Sequence, residues 1–208
     1  MTNPLGSRID SASRIITASP QTIYHAFMNP EDLASWLPPK GMSGHIDTFE
    51  PREGGTYSMT LTYETDHSNP GKTSRNTDIT QGKFLELVQD KKIVLTVKFD
   101  SKDPALSGVM IQTWYLEAVS EGTKVTIVCE KVPEGIRKKD HDIGLRSTLE
   151  NLAIFTQWQT IFNVIMQLIC LNKIKTIECK FKIVYNIIRK REFLKERYGY
   201  FGSMKGRI

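Results

Sequence analysis

Three stretches of the chain alternate apolar and polar residues with period two. Tyr57, Met59 and Leu61 alternate with Thr56, Ser58 and Thr60, and Ile93, Leu95, Val97 and Phe99 alternate with Lys92, Val94, Thr96 and Lys98. In 110–117, Met110, Gln112, Trp114 and Leu116 share one side. Successive strand side chains point to opposite faces, so this pattern predicts strands with one buried and one solvated face, as in an antiparallel sheet. With the β-prone runs between them it gives strands at about 44–50, 55–63, 79–88, 91–99, 108–119 and 123–131. Turn residues separate them at Arg52-Glu53-Gly54-Gly55, Gln89-Asp90-Lys91 and Ser120-Glu121-Gly122. The polar stretch Thr65 to Asp78, with Asn69-Pro70-Gly71, reads as a loop beside the mouth of the domain.

Helical periodicity flanks the strands. After a short β-prone run from Arg14 to Thr17, Ser19 suits an N-cap and Pro20 the first helical position. Ile23, Tyr24 and Phe27 then fall on one side at three- or four-residue spacing. Asn29-Pro30 ends that helix and starts a second short one with Leu33, Trp36 and Leu37 as its apolar side, stopped by Pro38-Pro39. Near the other end Asp140 can cap a helix in which His141, Leu145, Leu149, Leu152 and Phe155 form a core-facing stripe. A mostly antiparallel sheet with an amphipathic helix across its apolar face is an α+β architecture.

At 208 residues, 39% hydrophobic and 25% charged, the chain suits one domain with an appendage. Met1 to Ser13 is polar and reads as no secretory signal. The longest apolar-rich run, Ile161 to Leu171, contains Asn163 and Gln167 and falls short of the roughly 20 residues a bilayer span needs, so no transmembrane segment is expected. Cys129, Cys170 and Cys179 have neither metal-ligand spacing nor a disulfide framework, which suits a reduced, cytoplasmic setting. The net charge of +5 is uneven: residues 1–155 hold 17 Lys+Arg against 20 Asp+Glu, and residues 156–208 hold 11 against 3. The basic excess belongs to the tail, so a nucleic-acid partner does not follow from it.

Several pieces, in order, carry a family resemblance: Ala-Ser-Pro (18–20), Asn-Pro-Glu-Asp-Leu-Ala-Ser-Trp (29–36), Gly-Gly-Thr-Tyr (54–57), Gly-Lys-Phe-Leu-Glu-Leu-Val (82–88), Gly-Thr-Lys-Val-Thr-Ile (122–127) and Gly-Leu-Arg-Ser-Thr-Leu-Glu-Asn-Leu-Ala (144–153). Over roughly 10–155 the chain resembles the SRPBCC (START-like, Bet v 1-like) domains, and among them the branch named after the activator of Hsp90 ATPase. It departs at Leu145, where the family often has Trp. The resemblance implies a helix-grip fold over about 8–155, a curved antiparallel sheet around a long C-terminal helix, often with an apolar pocket between them. It implies no particular reaction.

On that fold Tyr57, Met59, Val97, Phe99, Gln112, Trp114 and Leu145 are expected around the cavity, with Trp36 near one end and His141 at the mouth; the alternative is that they fill the core. Gln112 stands out, because an amide on an apolar inward face needs a partner, either a neighbour such as Tyr57 or a ligand. His141 is either a ligand donor or a surface residue at a helix start, while His25 reads as lying on the wet side of its helix and His67 as solvated. No His or Cys spacing suggests a metal, and no cofactor motif appears. Cys129 reads as a small buried hydrophobe, and Gly54-Gly55 as a hairpin turn needing positive φ. Asp47, Glu50 and Glu53 are either a charged strand edge or an acid/base pair; no catalytic constellation emerges.

Beyond Phe155 the composition changes, with no Asp, Ala, Pro or His in 53 residues. Either this is a basic amphipathic segment, with Ile161, Val164, Ile165, Leu168 and Leu171 as its stripe and a weak affinity for membrane surfaces, or it is a read-through extension of the domain. Two functions follow. One is non-enzymatic binding of a small hydrophobic or amphipathic molecule. The other is a co-chaperone-like module that meets an acidic protein partner through Lys91-Lys92 and Arg137-Lys138-Lys139. A cyclase or hydrolase is a third, weaker reading, since no acid/base pair can be named for it.

Overall fold

The alternating runs join into one sheet. The computed structural model describes residues 7–64 and 71–170. Its strands are β1 (Ile9–Ile16), β2 (Met42–Phe49), β3 (Thr56–Tyr63), β4 (Thr77–Val88), β5 (Lys92–Phe99), β6 (Met110–Val119) and β7 (Gly122–Glu130). They lie in the order β1-β7-β6-β5-β4-β3-β2, with every neighbouring pair antiparallel. Helices α1 (Pro20–Met28) and α2 (Pro30–Trp36) connect β1 to β2, and α3 (Lys138–Cys170) follows β7. This is the helix-grip arrangement, with α3 packed against β1, α1 and α2.

Local chemistry sets the helix boundaries. Ser19 Oγ accepts from the Thr22 amide at 3.1 Å, and Pro20 begins α1. Asn29 ends α1 and caps α2, its Oδ1 accepting from the Asp32 amide at 2.8 Å. The buried side of α3 is the predicted one: Leu145, Leu149, Leu152 and Phe155 are all in the core. Between them, Thr148 Oγ1 donates to Leu37 O at 3.0 Å and Asn151 Nδ2 to Pro38 O at 2.6 Å, tying the helix to the Pro-Pro turn.

Three boundaries differ from the sequence expectation. β1 starts at Ile9, because all eight residues pair with β7, from Ile9 opposite Glu130 to Ile16 opposite Thr123. The side of the strand that buries Ile16 also carries a buried Asp10 and an exposed Arg14 paired with Glu150, so hydrophobic alternation conceals the strand. β4 takes in Asp78, which is buried and not in a loop; residues 65–70 of the expected loop, His67 among them, lie outside the described residues. Helix α3 begins at Lys138 and runs on past Phe155 to Cys170; the rest of the tail, 171–208, lies outside the described residues.

Gly54 has the positive φ expected of its turn, 76°. Gly82 in β4 is required for another reason: a Cβ there would lie 1.8 Å from Thr96 O and 2.6 Å from Tyr57 Cε1. Gly82→Ala is therefore expected to destabilise by about 1–3 kcal/mol through overpacking. It should read as a lower urea midpoint at unchanged slope; an unchanged midpoint would mean that β5 can move aside at no cost.

Candidate functional site

The predicted residues share the inward side of the sheet or face it from a helix, and most are packed closely. Phe27, Trp36 and Trp114 form an edge-to-face trio, with centroids 4.7 Å apart for Phe27–Trp36 and Phe27–Trp114 and 5.7 Å for Trp36–Trp114. Trp36 Nε1 donates to Ala26 O at 3.0 Å. Met59, Val97 and Leu145 are buried, and Phe99 is half-buried. Tyr57 is buried with its hydroxyl donating to Thr96 O at 2.9 Å, and burial raises the pKa of that hydroxyl well above its ordinary value.

Gln112 finds its partners on its own side of the sheet. Trp114 Nε1, two residues along β6, donates to Gln112 Oε1 at 2.9 Å, and Gln112 Nε2 donates to Cys129 Sγ at 3.5 Å. Tyr57, the neighbour expected to satisfy it, is committed to Thr96. Gln112 is half-buried, although the residues opposite it on β5 and β7, Leu95 and Cys129, are 8% and 0% exposed. An amide offers two donors and two acceptor lone pairs, so it retains capacity for a further partner.

His141 belongs to a cluster that the sequence did not reveal. Asp10, buried on β1, accepts from Arg8 Nε at 3.1 Å and Nη2 at 2.8 Å, and its Oδ2 lies 2.8 Å from His141 Nδ1. Burial pushes the Asp10 carboxyl up, yet the hydrogen bonds from His141 and Arg8 and their charges outweigh it and hold it below its ordinary 3.8. An ionised carboxylate only accepts, so His141 carries the bonding proton on Nδ1. Arg8 Nη1 also donates to Ile136 O at 2.6 Å, and Lys138 Nζ stands 3.8 Å from Asp10 Oδ1. The cluster fastens β1 to the start of α3, where a negative charge also suits the helix dipole. Its signal in the sequence was faint, since Asp10 and His141 are 131 residues apart.

A second buried carboxylate, Asp78, closes the far end of β3 and β4. It accepts from Tyr63 Oη at 3.2 Å, from the Lys72 amide at 2.5 Å and from Lys72 Nζ, which also stands 5.1 Å above the Phe99 ring. Burial, helped by the Asp78 charge and hydrogen bond, pushes the Tyr63 hydroxyl up to about 12.

This arrangement offers little for bond-breaking chemistry. Burial pushes the Cys129 thiol up to about 12, so it stays protonated. Asp47, Glu50 and Glu53 serve the turn and strand edge: they accept from Thr60 Oγ1 at 3.0 Å, the Thr56 amide at 3.1 Å and the Leu87 amide at 3.0 Å. Among the described residues, no group of three or more His, Cys, Asp or Glu is placed to hold a metal. His25 is exposed, as expected. Of the basic groups suggested for a protein partner, Lys92 pairs with Glu86 at 2.7 Å, Arg137 with Asp140 at 2.6 Å and Lys138 with Asp142 at 2.8 Å. A surface cleft bordered by Ser19, Gln21, Asp90, Lys91 and Leu116 contains none of the predicted pocket residues.

Comparison with known proteins agrees with this architecture. Residues 17–157 match the family described as activator of Hsp90 ATPase homolog 1-like protein. Among solved structures, protein CV1439 from Chromobacterium violaceum is 31% identical, with a TM-score of 0.63 over 71% of this chain and 96% of that one. Protein NE0264 from Nitrosomonas europaea is 22% identical, with a TM-score of 0.55 over 73% and 95% of the two chains. A solution structure from Arthrobacter aurescens is 17% identical, with a TM-score of 0.60 over 72% and 86%. These last two attest the fold alone. No curated protein sequence matches the chain.

Proposed function

Because this chain belongs to the family of activator of Hsp90 ATPase homolog 1-like proteins, a SRPBCC-type domain, we propose that it binds a small hydrophobic or amphipathic molecule between the sheet and α3, without catalysing a reaction on it. The observation that carries this reading is Gln112. It is a half-buried amide on an apolar face, with buried neighbours and unused bonding capacity. A mostly apolar site with few polar groups suits a ligand that buries a hydrocarbon body and bonds through one polar end. Tyr57, Met59, Val97, Phe99, Trp114 and Leu145 would supply the apolar wall, Trp36 would back it, and His141 would stand at its rim. A cytoplasmic setting accords with this role. The family's name carries a second reading, contact with a chaperone or another protein. Of the five basic groups that reading uses, Lys91, Lys92, Arg137, Lys138 and Lys139, three already have acidic partners (Lys92, Arg137 and Lys138), which favours the pocket.

Native mass spectrometry of the full chain purified from cells, followed by thermal melting with fatty acids, aromatic alcohols and terpenoids, tests the proposal. A ligand present at about 100 times its Kd adds about 2.7 kcal/mol of stability, which for a chain of this size raises the melting temperature by about 5 °C or more. Trp114 emission should shift with it, since its indole is bonded to Gln112. A chain that carries no small molecule and whose melting ignores the whole panel would refute the pocket reading.

A further inference from the structure

The apolar stripe of α3 changes sides partway along the helix. Each helical residue turns the side chain by about 100°. On that wheel Leu145, Thr148, Leu149, Asn151, Leu152 and Phe155, all buried, fall within an arc of about 160° that faces the body of the protein. Beyond Thr156 the same direction is taken by Thr160, Asn163 and Gln167, which are exposed. Ile161, Val164, Ile165 and Leu168 instead centre about 170° from the middle of that arc, on the opposite side, whereas Phe162 and Met166 keep the direction of Phe155 and Thr148. Ile161 is 38% exposed, Phe162 48%, Val164 50% and Met166 38%. The sheet that buries the first half of the helix therefore does not cover the apolar side of the second.

Charge identifies what this side meets. Residues 151–170 contain no Asp, Glu, Lys or Arg, whereas 171–208 hold 11 Lys+Arg against 3 acidic residues. Apolar side chains on one side of a helix, followed directly by a strongly basic segment, suit a surface that is apolar within and anionic outside. No helix among the described residues is long and apolar enough to cross a membrane. Pairing with a second copy in parallel would bring two such basic segments together, which like-charge repulsion opposes. We infer that the second half of α3 lies flat on an anionic lipid surface. Its Ile161–Leu168 apolar side sits at the boundary of headgroups and acyl chains, and the net positive charge of the sequence that follows favours anionic over neutral lipid.

Flotation of the full chain with vesicles of phosphatidylcholine alone or with 30% phosphatidylserine tests this. At 0.1 M salt the chain is expected to bind the anionic vesicles at least 10-fold more strongly than the neutral ones, and to be released at 0.5 M salt. Two doubly charged variants separate the apolar side from simple electrostatics. Ile161→Asp with Val164→Asp should reduce anionic-vesicle binding at least 10-fold, while Asn163→Asp with Gln167→Glu, which adds the same charge to the polar side, should reduce it much less. All four side chains are exposed, so the melting temperature should hold in both variants. Equal losses in the two variants, or no preference for anionic vesicles, would overturn the inference. So would a concentration-dependent dimer in light scattering that only the Ile161/Val164 variant abolishes, since a second copy would then be the occupant.

Discussion

Trp114→Ala is expected to destabilise the protein by about 3–5 kcal/mol, the range for emptying a large aromatic site. The indole is 1% exposed and packs edge-to-face against both Phe27 and Trp36. Its removal therefore loses aromatic contacts as well as buried area, and Gln112 Oε1 loses its 2.9 Å donor. Trp114→Phe should cost less, because it keeps most of the ring volume and gives up only the hydrogen bond. Urea unfolding of the two variants checks both points. A loss below about 1 kcal/mol for the alanine variant would mean that α1 and α2 collapse into the space and that the trio is not a fixed part of the core.

Asp10→Asn should be comparably damaging near neutral pH, because removing one member of a buried, hydrogen-bonded charge pair typically costs about 3–5 kcal/mol. The exposed part of Arg8 lowers the expected figure toward about 2–3 kcal/mol. The pH dependence has a definite sign. The folded-state pKa of Asp10 is depressed below its ordinary 3.8, so the stability it confers is complete above the unfolded value and is lost as pH falls through the folded one. The gap between wild type and Asp10→Asn should therefore hold steady from pH 7 to about 5 and narrow only below pH 4. Melting curves at stepped pH read this directly. A gap that closed between pH 7 and 6 would place the titrating group elsewhere.

How much of this was legible in the sequence depended on whether a neighbouring residue carried the signal. The period-two runs placed β3, β5 and β6 to within two residues, because each has one dry and one wet side. The buried stripe Leu145-Leu149-Leu152-Phe155 emerged as expected for the same kind of reason, with period 3.6. β1 is half hidden, since the buried Asp10 and the exposed Arg14 share a side with Ile16 and break the apolar alternation. The partner of Gln112 is Trp114, two residues along the same strand, since i and i+2 share a side; Tyr57, offered by the sequence as one neighbour that could supply it, bonds to Thr96. The Asp10–His141 contact was out of reach. It exists only because β1 pairs with β7 along its whole length and thereby brings residue 10 to the start of α3.

That pairing also dictates the order in which the molecule can assemble. Among the strands of the described residues β1 leaves the ribosome first, but its only partner there is β7, the last of them to be made. Until residue 130 has emerged, the first strand has no ladder to join, and β6 presents an open edge where β7 will lie. Contacts so distant in sequence make for slow folding, and an unpaired edge is where chains cross-associate. The Arg8–Asp10–His141 contact then acts as a completion signal. A nascent or truncated chain that stops short of Lys138 holds a carboxylate meant for burial with only Arg8 to neutralise it, and so holds β1 less firmly on β7.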